Sequence, residues 1–80
     1  MPAKEVVLVC LGRRLDTGEP DPFAPFMVKA QDPRRSGLYF HEPAVIAQIL
    51  PGAREASFEA EWVGAQWKFG KRVPEEDQPQ

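Results

Sequence analysis

A single glycine set between two runs of alternating polarity limits what this chain can fold into more than any other feature. Ala56, Phe58, Ala60 and Trp62 alternate with Ser57, Glu59 and Glu61, and further on Trp67 and Phe69 alternate with Lys68 and Gly70. Apolar residues at every second position are the pattern of a strand with one face buried. Val63-Gly64-Ala65-Gln66 separates the runs. Glycine in the first central position suits a two-residue type II′ turn, because only glycine takes positive φ there without strain. That turn puts Trp62 opposite Trp67, Ala60 opposite Phe69 and Glu61 opposite Lys68. The three pairs agree with one another, and each contributes roughly 0.2–1 kcal/mol over an alanine pair. Residues 53–67 also carry a competing helical pattern, with Ala53, Ala56, Ala60, Val63 and Trp67 near one face. A helix there would hold Gly64 inside it at a cost of about 1 kcal/mol, and the hairpin is preferred.

The remaining elements follow in chain order. Val6 to Leu11 is an unbroken apolar run, which reads as a central strand buried on both faces. A long connection follows, with a turn at Asp16-Thr17-Gly18 and a proline-stiffened stretch from Glu19 to Pro25, from which Phe23 is expected to tuck back onto the domain. Phe26 to Ala30 is a second strand, pairing antiparallel with the first. Asp32 to Gly37 is a turn with Arg34 and Arg35 at its tip, and Leu38 to His41 a short strand. Pro43 opens a short helix that Pro51-Gly52 closes, and Ile46, Ile49 and Leu50 are expected to face the sheet. The expected fold is therefore α+β: a small antiparallel sheet of four to five strands, one short helix packed on one face, and a C-terminal β-hairpin. It occupies residues 1–73 as a single domain, and residues 74–80 are expected to be a disordered acidic tail.

Charge is divided along the same line. The chain carries a formal −2, but Glu75, Glu76 and Asp77 lie in the tail, and residues 1–73 hold nine acids against ten bases. Nucleic-acid-binding domains are usually plainly basic, so a near-neutral body argues against that class. The lone Cys10 can form no internal disulfide and sits in the most apolar run, where an inert core thiol is expected. With no long apolar stretch and no signal-peptide h-region, a cytoplasmic location without membrane contact is expected.

Few residues suggest chemistry. His41 is the sole histidine and has no nucleophile argued beside it. Asp16, Glu19 and Asp21 share a loop, but at a spacing that matches no calcium loop. No glycine-rich phosphate loop is present. No catalytic residue, metal or cofactor is expected, and the chain reads as a non-enzyme. Two charged surfaces remain. Glu55, Glu59 and Glu61 form a row on the wet face of one strand, suited to a partner protein with a basic surface. Arg13, Arg14, Arg34 and Arg35 in loops, with Lys68, Lys71 and Arg72 on the last strand, would serve a nucleic-acid-binding alternative, helped by Trp67 and Phe69 if those rings were free to stack.

At the level of class, this profile resembles the small accessory proteins of bacteria and their phages or mobile elements, among them inhibitors of defence systems such as anti-CRISPR proteins. The resemblance implies a protein-binding module, an inhibitor or adaptor that acts by occupying a partner's surface. An open sheet edge on so small a domain makes either a monomer or a homodimer an expected state.

Overall fold

A computed structural model describes residues 3–39, 42–50 and 52–74. Five strands, one helix and a short 3-10 turn follow one another: β1 (Ala3–Cys10), β2 (Phe26–Lys29), the 3-10 turn (Pro33–Arg35), β3 (Gly37–Tyr39), α1 (Pro43–Ile49), β4 (Glu55–Val63) and β5 (Gln66–Arg72). The strands form one sheet in the order β3-β2-β1-β4-β5, antiparallel throughout. Three strands in a meander, with a fourth returning beside the first, make a Greek key. The returning connection carries α1.

The C-terminal hairpin has the expected register: Val63 pairs with Gln66, Trp62 with Trp67, Glu61 with Lys68 and Ala60 with Phe69. Its turn differs in type. Both Gly64 and Ala65 have positive φ, 60° and 67°. Positive φ at both central residues is type I′, whose twist matches the flanking strands. Ala65 thus accepts a left-handed conformation that costs an L-residue about 1–2 kcal/mol. Beyond Ala60 the register slips by a bulge, and Arg72 comes opposite Phe58. The slip turns the Arg72 side chain toward the helix, where its guanidinium donates to the Gln48 carbonyl.

β1 is central, as its composition implies, but it is buried on one face only. Val7 and Val9 are buried, while Val6 is 37% exposed and Leu8 and Cys10 are half-buried. The expectation of two buried faces fails because α1 covers one side of the sheet and the described residues supply no second cover. Val45, Ile46 and Ile49 of α1 close the core over Val7, Val9, Phe26, Val28 and Phe58. Leu50, expected in that row, is the C-cap in an extended conformation; it is half-buried and packs against the core, and Val45 joins the row. With only seven residues and no side-chain cap at Glu42, α1 is held by this burial rather than by its own propensity.

The sheet curls until its two edge strands meet. The Trp67 N–H on β5 donates to the Tyr39 hydroxyl on β3 (2.9 Å), and the Trp67 indole N–H donates to the Arg35 carbonyl (2.8 Å). Aromatic rings fill the space between the edges: Phe26 stacks with Tyr39, and Phe69 meets both edge-on, 5.8 Å from Phe26 and 5.7 Å from Tyr39. Trp62 and Trp67 are in edge contact at 5.1 Å, with the Arg35 guanidinium 5.8 Å above the Trp62 ring. The result is a half-barrel.

The connection from residue 12 to residue 25 is ordered by its own bonds. Arg13 bridges to Pro20, the Arg14 N–H donates to the Glu19 carbonyl and the Asp21 N–H to the Gly12 carbonyl. Leu15 stands fully exposed at its tip. Phe23 does not tuck back: it is 80% exposed, because the Asp21 carboxylate accepts its N–H and fixes a turn that leads the ring outward. The strand expected over Leu38 to His41 is Gly37–Tyr39, and Phe40, His41, Pro51 and residues 75–80 lie outside the described residues. Among the described residues no helix is long and apolar enough to cross a membrane.

Candidate functional site

The face of the sheet opposite α1 is built by strand alternation. On β1 it takes Lys4, Val6, Leu8 and Cys10; on β4 it takes Glu55, Ser57, Glu59 and Glu61. Antiparallel register arranges these in rows across the strands. Leu38, Met27, Cys10 and Glu55 form one row, followed by Lys29, Leu8 and Ser57, then Val6 with Glu59, then Lys4, Glu61 and Lys68. The first row is apolar toward β3, the second sets the exposed Lys29 beside Leu8, and the last is charged. Leu38 is 69% exposed and Met27 half-buried, so the apolar part is open to water.

Two depressions flank Val6 on this face. One, about 510 Å³, is lined among others by Lys4, Glu59, Glu61, Lys68 and Gly70. The other, about 450 Å³, is lined by Leu8, Lys29, Glu55 and Ser57 among others. Gly70 deepens the first, since a side chain there would bring its Cβ to 3.3 Å from the Glu59 carbonyl.

All three expected carboxylates, Glu55, Glu59 and Glu61, are on this face. Their settings differ. Glu61 lies between Lys4 and Lys68 in the register, Glu59 is opposite Val6, and Glu55 is opposite Cys10. Sequence reasoning missed Lys4 and the apolar half formed by Val6, Leu8, Met27 and Leu38. The available signal was chain length, because one two-turn helix cannot cover both sides of a five-stranded sheet.

Cys10 belongs to this face rather than to the core. Its thiol donates to a Glu55 carboxylate oxygen at 3.3 Å. Partial burial pushes its pKa up first, and the Glu55 hydrogen bond and negative charge push it further. The thiol stays protonated and is a weak nucleophile.

The basic candidates are dispersed. The loop bearing Arg13 and Arg14 and the turn bearing Arg34 and Arg35 leave β2 from opposite ends. Arg14 donates to Asp16 (3.2 Å) and Arg34 to Asp32 (3.1 Å), and these bonds lower both carboxyl pKa values. Lys68 is on the open face, Lys71 is exposed on β5 and Arg72 is docked against α1. Trp67 is buried and Phe69 packs on the core, so neither ring forms a stacking platform.

No protein-family model matches the chain, and neither a curated protein nor a solved structure matches it.

Proposed function

We propose that the chain is a protein-binding module, an inhibitor or adaptor that works by laying the open side of its sheet on a partner's surface. The observation that supports this is the adjacency of the wholly or partly exposed apolar residues Val6, Leu8, Met27 and Leu38 to the carboxylates of β4 on the face opposite α1. Contiguous exposed apolar surface rimmed by polar groups is a mark of interaction sites. The partner presents a surface with basic residues, meeting Glu55, Glu59 and Glu61. The activity is occupation of a site, with no catalysis and no cofactor, in the cytoplasm. An inhibitor of a bacterial defence system, of the anti-CRISPR kind, is the class of role such a module fills. The test is affinity capture from host lysate, followed by Glu59→Lys and Glu61→Lys together. Loss of the captured protein is expected, and capture at wild-type yield would remove the acidic face from the proposal.

A second reading has one observation in its favour. A partly open, five-stranded Greek-key barrel is also the frame of oligonucleotide-binding domains, although such frames serve many functions. Arg13, Arg14, Arg34, Arg35, Lys68, Lys71 and Arg72 would then contact phosphates, and binding would fall steeply with salt. A flat titration with single-stranded and duplex nucleic acid at about 50 mM salt would dispose of it.

A further inference from the structure

Apart from the open face of the sheet, we infer that the β1–β2 connection is a docking element in its own right, a preformed prong whose tip residue, Leu15, enters an apolar pocket of a partner protein. A lone exposed leucine is ordinary on a protein surface. This one is set apart by its mounting. Among the described residues the two most exposed large apolar side chains, Leu15 and Phe23, both belong to residues 12–25. No residue of that connection is buried, so its order comes from hydrogen bonds and prolines rather than from a core. Between the two arms the Arg14 N–H donates to the Glu19 carbonyl at 2.8 Å and the Asp21 N–H to the Gly12 carbonyl at 2.7 Å. At the tip the Gly18 N–H donates to the Arg14 carbonyl at 2.9 Å and closes a turn around Leu15, Asp16 and Thr17. Pro20, Pro22 and Pro25 fix φ along the returning arm. At the base the arms are in contact: a Cβ on Gly12 would come to 3.0 Å from the Ala24 Cβ and from the Pro25 carbonyl oxygen.

A long loop held in one conformation has given up much of its freedom before any partner arrives. Binding through it therefore keeps most of what burial of the leucine yields. Long ordered loops on a rigid scaffold are also where binding residues concentrate. The flanks of Leu15 define the pocket. Arg14 and Asp16, on either side of it, are ion-paired with each other at 3.2 Å, so the tip presents an isobutyl group between charges that are already matched. Residues 13–21 carry three acids, Asp16, Glu19 and Asp21, against two bases, Arg13 and Arg14, a net −1. Phosphate backbones and anionic lipid surfaces attract clustered Lys and Arg, so this tip fits neither. A concave protein pocket with apolar walls, sized for one aliphatic side chain, is the occupant it fits.

The test uses the full chain as bait in host lysate. The captured protein is purified, and its affinity is measured for the wild-type chain and for Leu15→Ala, Leu15→Met and Leu15→Asp. Leu15→Ala is expected to weaken binding about ten- to hundredfold. Leu15→Asp should abolish it, and Leu15→Met should lose about threefold or less, because methionine nearly conserves the volume. All three variants should unfold at the wild-type midpoint, since the side chain stands in water. Wild-type affinity in Leu15→Ala would overturn the prong, and so would a wild-type chain that captures no protein. Leu15-dependent binding to phosphatidylcholine or phosphatidylserine vesicles would overturn it in favour of a lipid surface, and Leu15-dependent self-association on sizing in favour of a second copy. If reversal of Glu59 and Glu61 abolishes capture while Leu15→Ala does not weaken it, the open-face reading stands and the prong falls. The opposite pair of results keeps the prong and removes the acidic face.

Discussion

The two sides of the sheet are made from the same strands, residue by residue in alternation, and yet Val7 is 1% exposed while its neighbour Val6 is 37% exposed. The difference does not lie in the side chains, which are identical. It lies in what is available to cover them. On one side α1 and the aromatic cluster remove water from Val7, Val9 and Phe58; on the other, Val6, Leu8 and Met27 remain partly wet. Fully burying a valine-sized side chain is worth about 1.5–3 kcal/mol, so the open side retains an unspent drive to associate. In a chain of this length the surface-to-volume ratio allows one dry core, and the second apolar face is left for something else.

This contrast can be broken most severely from the covered side. Phe58→Ala should cost about 3–5 kcal/mol, since the ring is fully buried and its removal leaves a cavity; urea unfolding would measure it. Tyr39→Phe should cost about 1–3 kcal/mol by depriving the Trp67 N–H of its acceptor where the two edges meet. Thermal denaturation would show that loss, and a hydroxyl that merely pointed into water would give almost none. At the hairpin tip, Ala65→Gly should stabilise by about 0.5–1 kcal/mol, because glycine relieves the positive φ but adds backbone freedom to the unfolded chain. On the open side, Glu55→Ala should speed alkylation of Cys10 by iodoacetamide about two- to fivefold at pH 8, by removing a bond and a charge that hold the thiol protonated. The smallest effect sharpens the comparison best: Leu38→Lys should change stability by less than about 0.5 kcal/mol, because its side chain is already in water.

The hairpin was legible in the sequence because its information is local. Glu59, Glu61 and Lys68 alternate with apolar neighbours, and a glycine at residue 64 fixes where the chain reverses. Even there the turn type escaped, since nothing in an alanine announces that it will take positive φ. The run from Val6 to Leu11 was legible as a strand but not as a one-sided strand. An unbroken apolar run fits burial on both faces, and only the count of covering elements decides otherwise. Phe23 was misplaced for a related reason: an Asp-based turn redirects a side chain that composition alone would put inside. The carboxylates of β4 could be placed from alternation, whereas their apolar neighbours depend on the pairing of β3, β2 and β1, a long-range fact. The contact between Tyr39 and Trp67 is of the same kind, joining the first and last strands of the sheet order.

That contact has a further consequence. A sheet's outermost strand ordinarily offers unpaired N–H and C=O groups to any passing strand. On β5 the Trp67 N–H is taken by Tyr39, and the Arg72 N–H by the side chain of Gln48. A foreign segment would have to displace a hydroxyl and an amide before it could zip on. The molecule is thereby steered away from fibril-like growth through this rim.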